Sequence, residues 1–484
     1  MKLFLVGMLI LLIGFFVYGK IVEKIIAPDD RQTPAVKNRD GVDFLVLPNW
    51  KNMLIQLLNI AGIGPVIGVI IGIRFGEIVF LIIPIGCVLM GAVHDYIAGM
   101  MSMRHNGANL PELIKITAGK HIYRVFSLFM VLALLLVVAV FINIPAQLSN
   151  KLYHLDNGFF IYTGIIFVYY ICAALFPVDK IIGKIYPVFG GVLLIGTIAL
   201  MFSLIYNGIR TPELLQESAI FQASKFTAAK NMPILPVLFV TIACGILSGF
   251  HATQASIVGR TIDSEKRGFG VFFGMMITEG FIAMIWAAGA LVIYNKFPEF
   301  IGANPNSTLA KITTDLLHSS LGNIVIISVI ILTITSGDTA MRSLRLSLAE
   351  MFHVDQKPVL PRIAVTLPLI AITVGLLFWS NSDSGSFNKL WTYFAWSNQV
   401  MAAFTLLAGS IYLFALKRPA YITVLPGMFI TFVVTSYILW ISPEHGGPLG
   451  IGMELYQAYL AAGFFAILIF AWARSRADKV KVNG

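Results

Sequence analysis

The chain has 484 residues, 58% of them hydrophobic and 12% charged, with a formal net charge of +10. Soluble globular domains are typically about 45–50% apolar and about 25% charged, so this composition excludes an ordinary soluble enzyme. The apolar residues come in runs of about 18 or more, each long enough to cross a hydrocarbon core of roughly 30 Å as a helix. Lipid leaves no partner for an open backbone, so such runs imply helices. The alternating pattern of a membrane β-barrel is absent.

In chain order, thirteen spans are expected, near 3–19, 52–73, 77–103, 123–147, 158–176, 183–207, 233–253, 269–294, 322–344, 363–380, 390–414, 421–441 and 453–473. The first has a long apolar run and no small-x-small cleavage site after Phe15-Phe16-Val17-Tyr18-Gly19, and reads as a span rather than a signal peptide. Cys87, Cys172 and Cys244 fall inside spans without close spacing, which fits buried apolar residues and neither a disulfide framework nor a metal motif. With the N-terminus outside, the inside segments hold 25 of the 34 Lys and Arg and the outside segments 9. That is the positive-inside signature, with a cytoplasmic C-terminus, and it accounts for the basic charge without a nucleic-acid partner.

Two spans are interrupted by glycine near their middles. The first reads Leu58-Asn59-Ile60-Ala61-Gly62-Ile63-Gly64-Pro65 and the second Ala243-Cys244-Gly245-Ile246-Leu247-Ser248-Gly249-Phe250-His251-Ala252-Thr253. Proline removes a backbone donor and clashes with the preceding turn. Broken helices at membrane depth are tolerated where they line a cavity, and they aim half-helix ends at a substrate or ion. Close helix packing is the plain alternative use of these glycines. The broken spans are the second and the seventh, so five spans separate their starts and the second unit enters from the opposite side. This predicts an all-α membrane protein with an inverted five-plus-five repeat: a helix and loop over 1–51, one unit over 52–207, a linker over 208–232, a second unit over 233–414 and two further helices with a tail over 415–484.

An ionisable side chain at a span centre costs about 2.5–3.5 kcal/mol on insertion scales, and each is a functional candidate. His94, Asp95, Lys184, His251, Glu279 and Asp338 are those present. With this topology Asp95, Lys184, His251 and Asp338 share the cytoplasmic half, and since histidine titrates near neutral pH, that co-location suits a proton relay or a cation site. Thr335, Ser336 and Thr339 offer hydroxyls to a small hard cation such as Na⁺, or bond back to their own helix. The plain readings are an Asp338–Arg342 helical ion pair, a snorkelling Lys184 and a packing His94.

The segments Gly41-Val42-Asp43-Phe44, Asn59-Ile60-Ala61-Gly62-Ile63-Gly64-Pro65, Gly91-Ala92-Val93-His94-Asp95-Tyr96, Ser248-Gly249-Phe250-His251-Ala252, Asp338-Thr339-Ala340-Met341-Arg342 and Trp396-Ser397-Asn398-Gln399 resemble, in order, the carbon starvation protein A family. The resemblance implies a bacterial inner-membrane importer induced when carbon is scarce. Members are described as peptide transporters, and some as proton-coupled pyruvate carriers. It also implies the amino acid–polyamine–organocation superfold, with substrate at the two breaks and a cation site at Ala61–Gly62 and Thr335–Ser336. In that superfold Lys184 matches a lysine of some proton-coupled relatives. The chain is shorter than the long members and carries His94 where others have glutamine.

The expected mechanism is alternating access. A substrate carboxylate meets half-helix N–H groups around Gly62 or Gly249. Asn59, Ala61, Gly64, Ser248, His251, Thr253, Trp396, Asn398 and Gln399 are expected to line the site, and H⁺ or Na⁺ is expected at Asp95, His94, Lys184, Glu279, Asp338 or the hydroxyls. No cofactor is expected, and the partners are the substrate and the lipid bilayer. The rivals are a membrane metallohydrolase on His94, Asp95, His251 and Asp338, a channel and a nutrient sensor. No HExxH, filter repeat or GxxxxGK[ST] motif supports them or ATP hydrolysis.

Overall fold

A computed structural model describes all residues except Met1, 41–43, 176–178, 216–231, 318, 353, 355–358, 383–384, 446, 448 and 481–484; side chains of 173–187, 215, 319, 350 and 359 are also outside it. The Gly41-Val42-Asp43 motif and most of the 208–232 linker therefore lie outside the described residues. The protein is all-helical, and the one extended pairing among the described residues is an isolated bridge between Gln32 and Ser264.

The helices are α1 (Lys2–Ile26), α2 (Asn49–Ile60), α3 (Ile63–Gly72), α4 (Val79–Arg104), α5 (Leu110–Ala118), α6 (Lys120–Leu152), α7 (Gly158–Leu175), α8 (Asp179–Arg210), α9 (Ala243–Ile246), α10 (Gly249–Gly259), α11 (Glu265–Lys296), α12 (Pro305–Leu316), α13 (Ser319–Met351), α14 (Val359–Ser380), α15 (Ser386–Ala415), α16 (Tyr421–Trp440) and α17 (Leu455–Ala477). Ten helices among the described residues are long and apolar enough to span a membrane, or eleven with the bent pair α2–α3 as one. The other two expected spans fall on α7 and on the run from Ile234 to Gly259, which is split into short helical pieces. α1 runs past the expected end at 19, because a π turn over Gly14–Tyr18 carries the helix on to Ile26. α12 breaks a stretch expected as loop: Asn304 accepts a bond from the Asn306 N–H and Pro305 stands in the first turn, both ordinary start signals.

The two broken runs lie against each other. α2 packs on α10 and α3 on α9, so the runs are antiparallel with their breaks at one level. α11 packs on both α2 and α3, α4 on α10, and α15 on α10. The breaks are thus wrapped by α4, α11 and α15, with the core apolar and continuous around them.

The end of the bundle expected to be cytoplasmic is tied by the segment after α1. Thr33 Oγ1 donates to the Ile262 carbonyl (2.6 Å), Leu47 N–H to Thr261 (3.0 Å), and Thr261 Oγ1 to Asn52 Oδ1 (2.7 Å). Beneath it Arg104 of α4 donates to Glu265 (2.9 Å) and to the Ala27 carbonyl (2.8 Å), and Arg31 pairs with Glu265 (3.3 Å). Glu265 is buried, and these partners supply the compensation that a buried carboxylate requires.

Candidate functional site

The ends of the two breaks are built differently. At the first, α2 stops at Ile60, the chain bends by 43°, and no side chain caps the start of α3 at Gly62. A Cβ built on Gly62 meets only Ser336 Oγ, at 3.8 Å. Ser336 is buried and its hydroxyl has no partner. Gly64 is different: a Cβ there would lie 2.7 Å from Cys244 Cβ, so this glycine serves the contact between α3 and α9. At the second break Leu247 and Ser248 are extended. Asn398 Oδ1 accepts from Ser248 Oγ (3.2 Å) and from the Phe250 N–H (3.3 Å), capping α10 from α15. A Cβ on Gly249 would lie 2.2 Å from Met401 Cβ. Packing is thus the reason for glycine at 64 and 249, whereas a side chain at 62 would meet no close neighbour.

Four ionisable side chains meet just past the second break. His94 Nδ1 lies 2.8 Å from Asp95 Oδ1, His251 Nδ1 lies 3.3 Å from Asp95 Oδ2, and His251 Nδ1 lies 3.9 Å from Glu279 Oε2. Their side chains are 0–3% exposed. Asp95 comes from α4, His251 from α10 and Glu279 from α11. π turns precede both acidic residues, over Cys87–Gly91 and over Phe269–Gly274. A π turn adds a residue and re-aims the next turn of helix, and such turns are frequent at functional sites. α4 also seats itself on the broken run through Cys87, whose thiol donates to the Gly245 carbonyl (3.5 Å). His94 Nε2 and both Glu279 oxygens have no hydrogen-bond partner, so the cluster is buried with spare donor and acceptor capacity.

The other expected residues have varied settings. Asn59 is buried in the last turn of α2, next to its final residue, and Ala61 is in the break. Thr253 bonds back to the Phe250 carbonyl (2.7 Å), and Gln399 reaches the Phe239 carbonyl (2.6 Å). Trp396 turns away from the breaks: its Nε1 donates to the Val434 carbonyl (2.9 Å) of α16. Thr335 and Thr339 spend their hydroxyls on their own helix, on Ile331 (3.0 Å) and Thr335 (3.1 Å) carbonyls. Asp338 is buried on α13, which contributes nothing to the four-residue cluster. Lys184 falls on α8, and its side chain lies outside the described residues. Gln56 escaped the sequence reading, and Gln254 entered it only as the end of the resemblance's substrate region, 245–254. Both are fully buried; neither Gln56 side-chain polar atom nor Gln254 Oε1 has a partner. A carboxamide in an apolar run, one turn before Asn59, was the signal. Among the described residues no group of three or more His, Cys, Asp or Glu is arranged to hold a metal ion.

The model of the family described as carbon starvation protein CstA matches residues 1–160, 148–320 and 307–437. The chain belongs to the carbon starvation protein CstA family. Among CstA-family relatives, a protein of Haemophilus influenzae named only an uncharacterized membrane protein is 40% identical over 336 residues, 59% of this chain and 90% of that one. The peptide transporter CstA of Bacillus subtilis is 24% identical over 587 residues, 98% of this chain and 97% of its own. That of Escherichia coli is 23% identical over 89% of this chain and 78% of its own. The fold is similar to that of a manganese transporter from Eremococcus coleocola, with TM-score 0.57 and 12% identity over 92% of this chain and 99% of that one. This CstA-family chain is therefore a multi-pass membrane protein with a transporter fold.

Proposed function

We propose that the protein is a proton-coupled secondary importer of small carboxylate-bearing nutrients, short peptides first, working by alternating access across the bacterial inner membrane with its C-terminus inside. The observation that carries this is the buried His94–Asp95–His251–Glu279 cluster beside the paired breaks. The names of the relatives favour peptides.

The substrate carboxylate sits at the uncapped start of α3, where helix N–H groups favour an anion. Gln56 and Ser336, buried and unpartnered, supply further polar contacts. Two carboxylates and two imidazoles within a few ångströms exchange protons as one unit. A buried net charge is costly, so the number of protons held depends on the charge nearby. A substrate carboxylate at the break favours one more proton in the cluster, and by reciprocity a proton favours the substrate. Carrying both together is symport. Rocking of the bundle then turns the loaded site inward.

A pyruvate carrier is the second reading, since pyruvate offers the same carboxylate to α3. Sodium coupling is a further reading: Thr335 and Thr339 donate their hydroxyl hydrogens to their own helix but keep oxygen lone pairs for a cation, and the buried histidine–carboxylate cluster favours protons over it. The test is uptake of labelled dialanine and labelled pyruvate into proteoliposomes, with an inward pH gradient or an inward sodium gradient. Uphill accumulation under the pH gradient alone supports the proposal and names the substrate class. Accumulation only with sodium overturns the coupling, and accumulation of neither by folded protein overturns the substrate class.

A further inference from the structure

A second site lies away from the breaks, between the start of α6 and the end of α17. The cavity there measures about 490 Å³, and Lys120, His121, Trp472, Ser475, Arg476 and Lys479 line it. Among the described residues three cations line it and no carboxylate does. The nearby acids are engaged elsewhere, Asp478 with Arg474 (3.5 Å) and Glu112 with Lys115 (2.9 Å). Arg476 is held in place: its Nε donates to the Thr117 carbonyl (3.3 Å), and it lies on Gly119, where a Cβ would come within 3.0 Å of the guanidinium. Gly119 has φ +94°, which favours glycine in any case. No side chain caps α6, so its first turn adds partial positive charge to the cavity.

The surroundings decide what kind of anion this is. α6 has 33 residues, about 50 Å at 1.5 Å per residue, so its ends project beyond a hydrocarbon core of roughly 30 Å. Leu460, Phe464, Leu468 and Trp472 are exposed at four-residue spacing on α17, and this stripe runs down to Arg476. Val125, Leu128 and Leu132 are likewise exposed on α6 above His121. A basic cavity at the foot of two exposed apolar stripes, with a tryptophan at the junction, is complementary to a phosphate headgroup with acyl chains above it. A soluble phosphate would use the cations and ignore the stripes.

We propose that this cavity binds the phosphate of an anionic membrane phospholipid, whose chains lie along α6 and α17. The experiment uses purified, delipidated full-length protein in detergent and tracks its melting temperature against added phosphatidylglycerol, phosphatidylcholine or inorganic phosphate. Phosphatidylglycerol is expected to raise the melting temperature, with little response to the other two. Removing two cations with Arg476→Gln and Lys479→Gln is expected to raise the phosphatidylglycerol concentration required by roughly 25-fold, about fivefold per cation. Arg474→Gln removes one cation from outside the cavity, as Lys120→Gln does from inside it, and is expected to leave the response intact. If the double variant is unstable without lipid, Lys120→Gln replaces it, with about a fivefold effect. The proposal is overturned by an equal response to phosphatidylcholine or to inorganic phosphate, by unchanged titration of the cavity variants, or by an equal loss in Arg474→Gln.

Discussion

The two helix breaks lie at one level of the bundle, yet their surroundings differ. The first is loosely packed: a Cβ on Gly62 would meet only Ser336 Oγ, α3 starts without a side-chain cap, and the Ser336 hydroxyl is unpartnered. The second is fixed: Asn398 caps it, Gly249 presses on Met401, and the charged cluster stands just beyond. The contrast separates two tasks that a symmetrical repeat would merge. One break keeps its polar ends for a ligand, and the other holds titratable groups at fixed positions next to it.

The largest expected effect tests the chemistry of the fixed side. Asp95→Asn removes the carboxylate that both imidazoles approach, and pH-driven uptake is expected to fall by roughly a hundredfold or more, in line with the loss of a proton-transfer group. Exchange of labelled for unlabelled substrate without a gradient should survive, which separates lost coupling from lost folding.

The glycines give the next test. Gly64→Ala forces a methyl against Cys244 Cβ and is expected to destabilise by about 1–3 kcal/mol, read as a lower melting temperature in detergent. Gly62→Ala meets no such neighbour. It is expected to leave melting nearly unchanged and to weaken substrate binding. Equal melting losses at both positions would erase the distinction between the breaks.

Asn398→Ala strips the cap from α10 and should cost about 1–2 kcal/mol of stability. Ser336→Ala deletes a hydroxyl that bonds to nothing, so melting should hold while the apparent substrate affinity changes. The smallest effect is set outside the spans, by Asp315. Its burial pushes the carboxyl pKa up, but hydrogen bonds from Lys311 and Lys296 outweigh this and hold it below the ordinary value. A depressed carboxylate contributes stability above its unfolded pKa of about 3.9, lost as pH falls through the folded value. Asp315→Asn should cost about 0.2–1 kcal/mol at neutral pH, with the difference from wild type shrinking below pH 4.

The sequence revealed much of the architecture and the identity of the charged residues, because both rest on local signals. Long apolar runs mark spans, and a charge inside one is conspicuous. His94, Asp95, His251 and Glu279 were each marked in this way, but their meeting was not. They stand on three helices, and only the antiparallel contact of the broken runs, with α4 and α11 wrapped around it, brings each within 4 Å of another. Glycine was a weaker guide. The same residue type stands in loose packing at 62 and in close contact at 64 and 249, and a one-dimensional pattern does not carry that difference. Trp396 and Asn398 sit two residues apart on α15, so they face different sides: one turns to α16 and the other caps α10. The segment after α1 reads as polar loop, since its order comes from distant partners such as Thr261 and Ile262.

The most direct test of proton coupling is substrate-evoked proton entry. Proteoliposomes holding a pH-sensitive dye, in sodium-free buffer, receive dialanine or pyruvate in turn. The account predicts that one of them acidifies the lumen with wild-type protein, and that Asp95→Asn, still active in exchange, gives no acidification. Transport without acidification, or acidification that persists in Asp95→Asn, would contradict it.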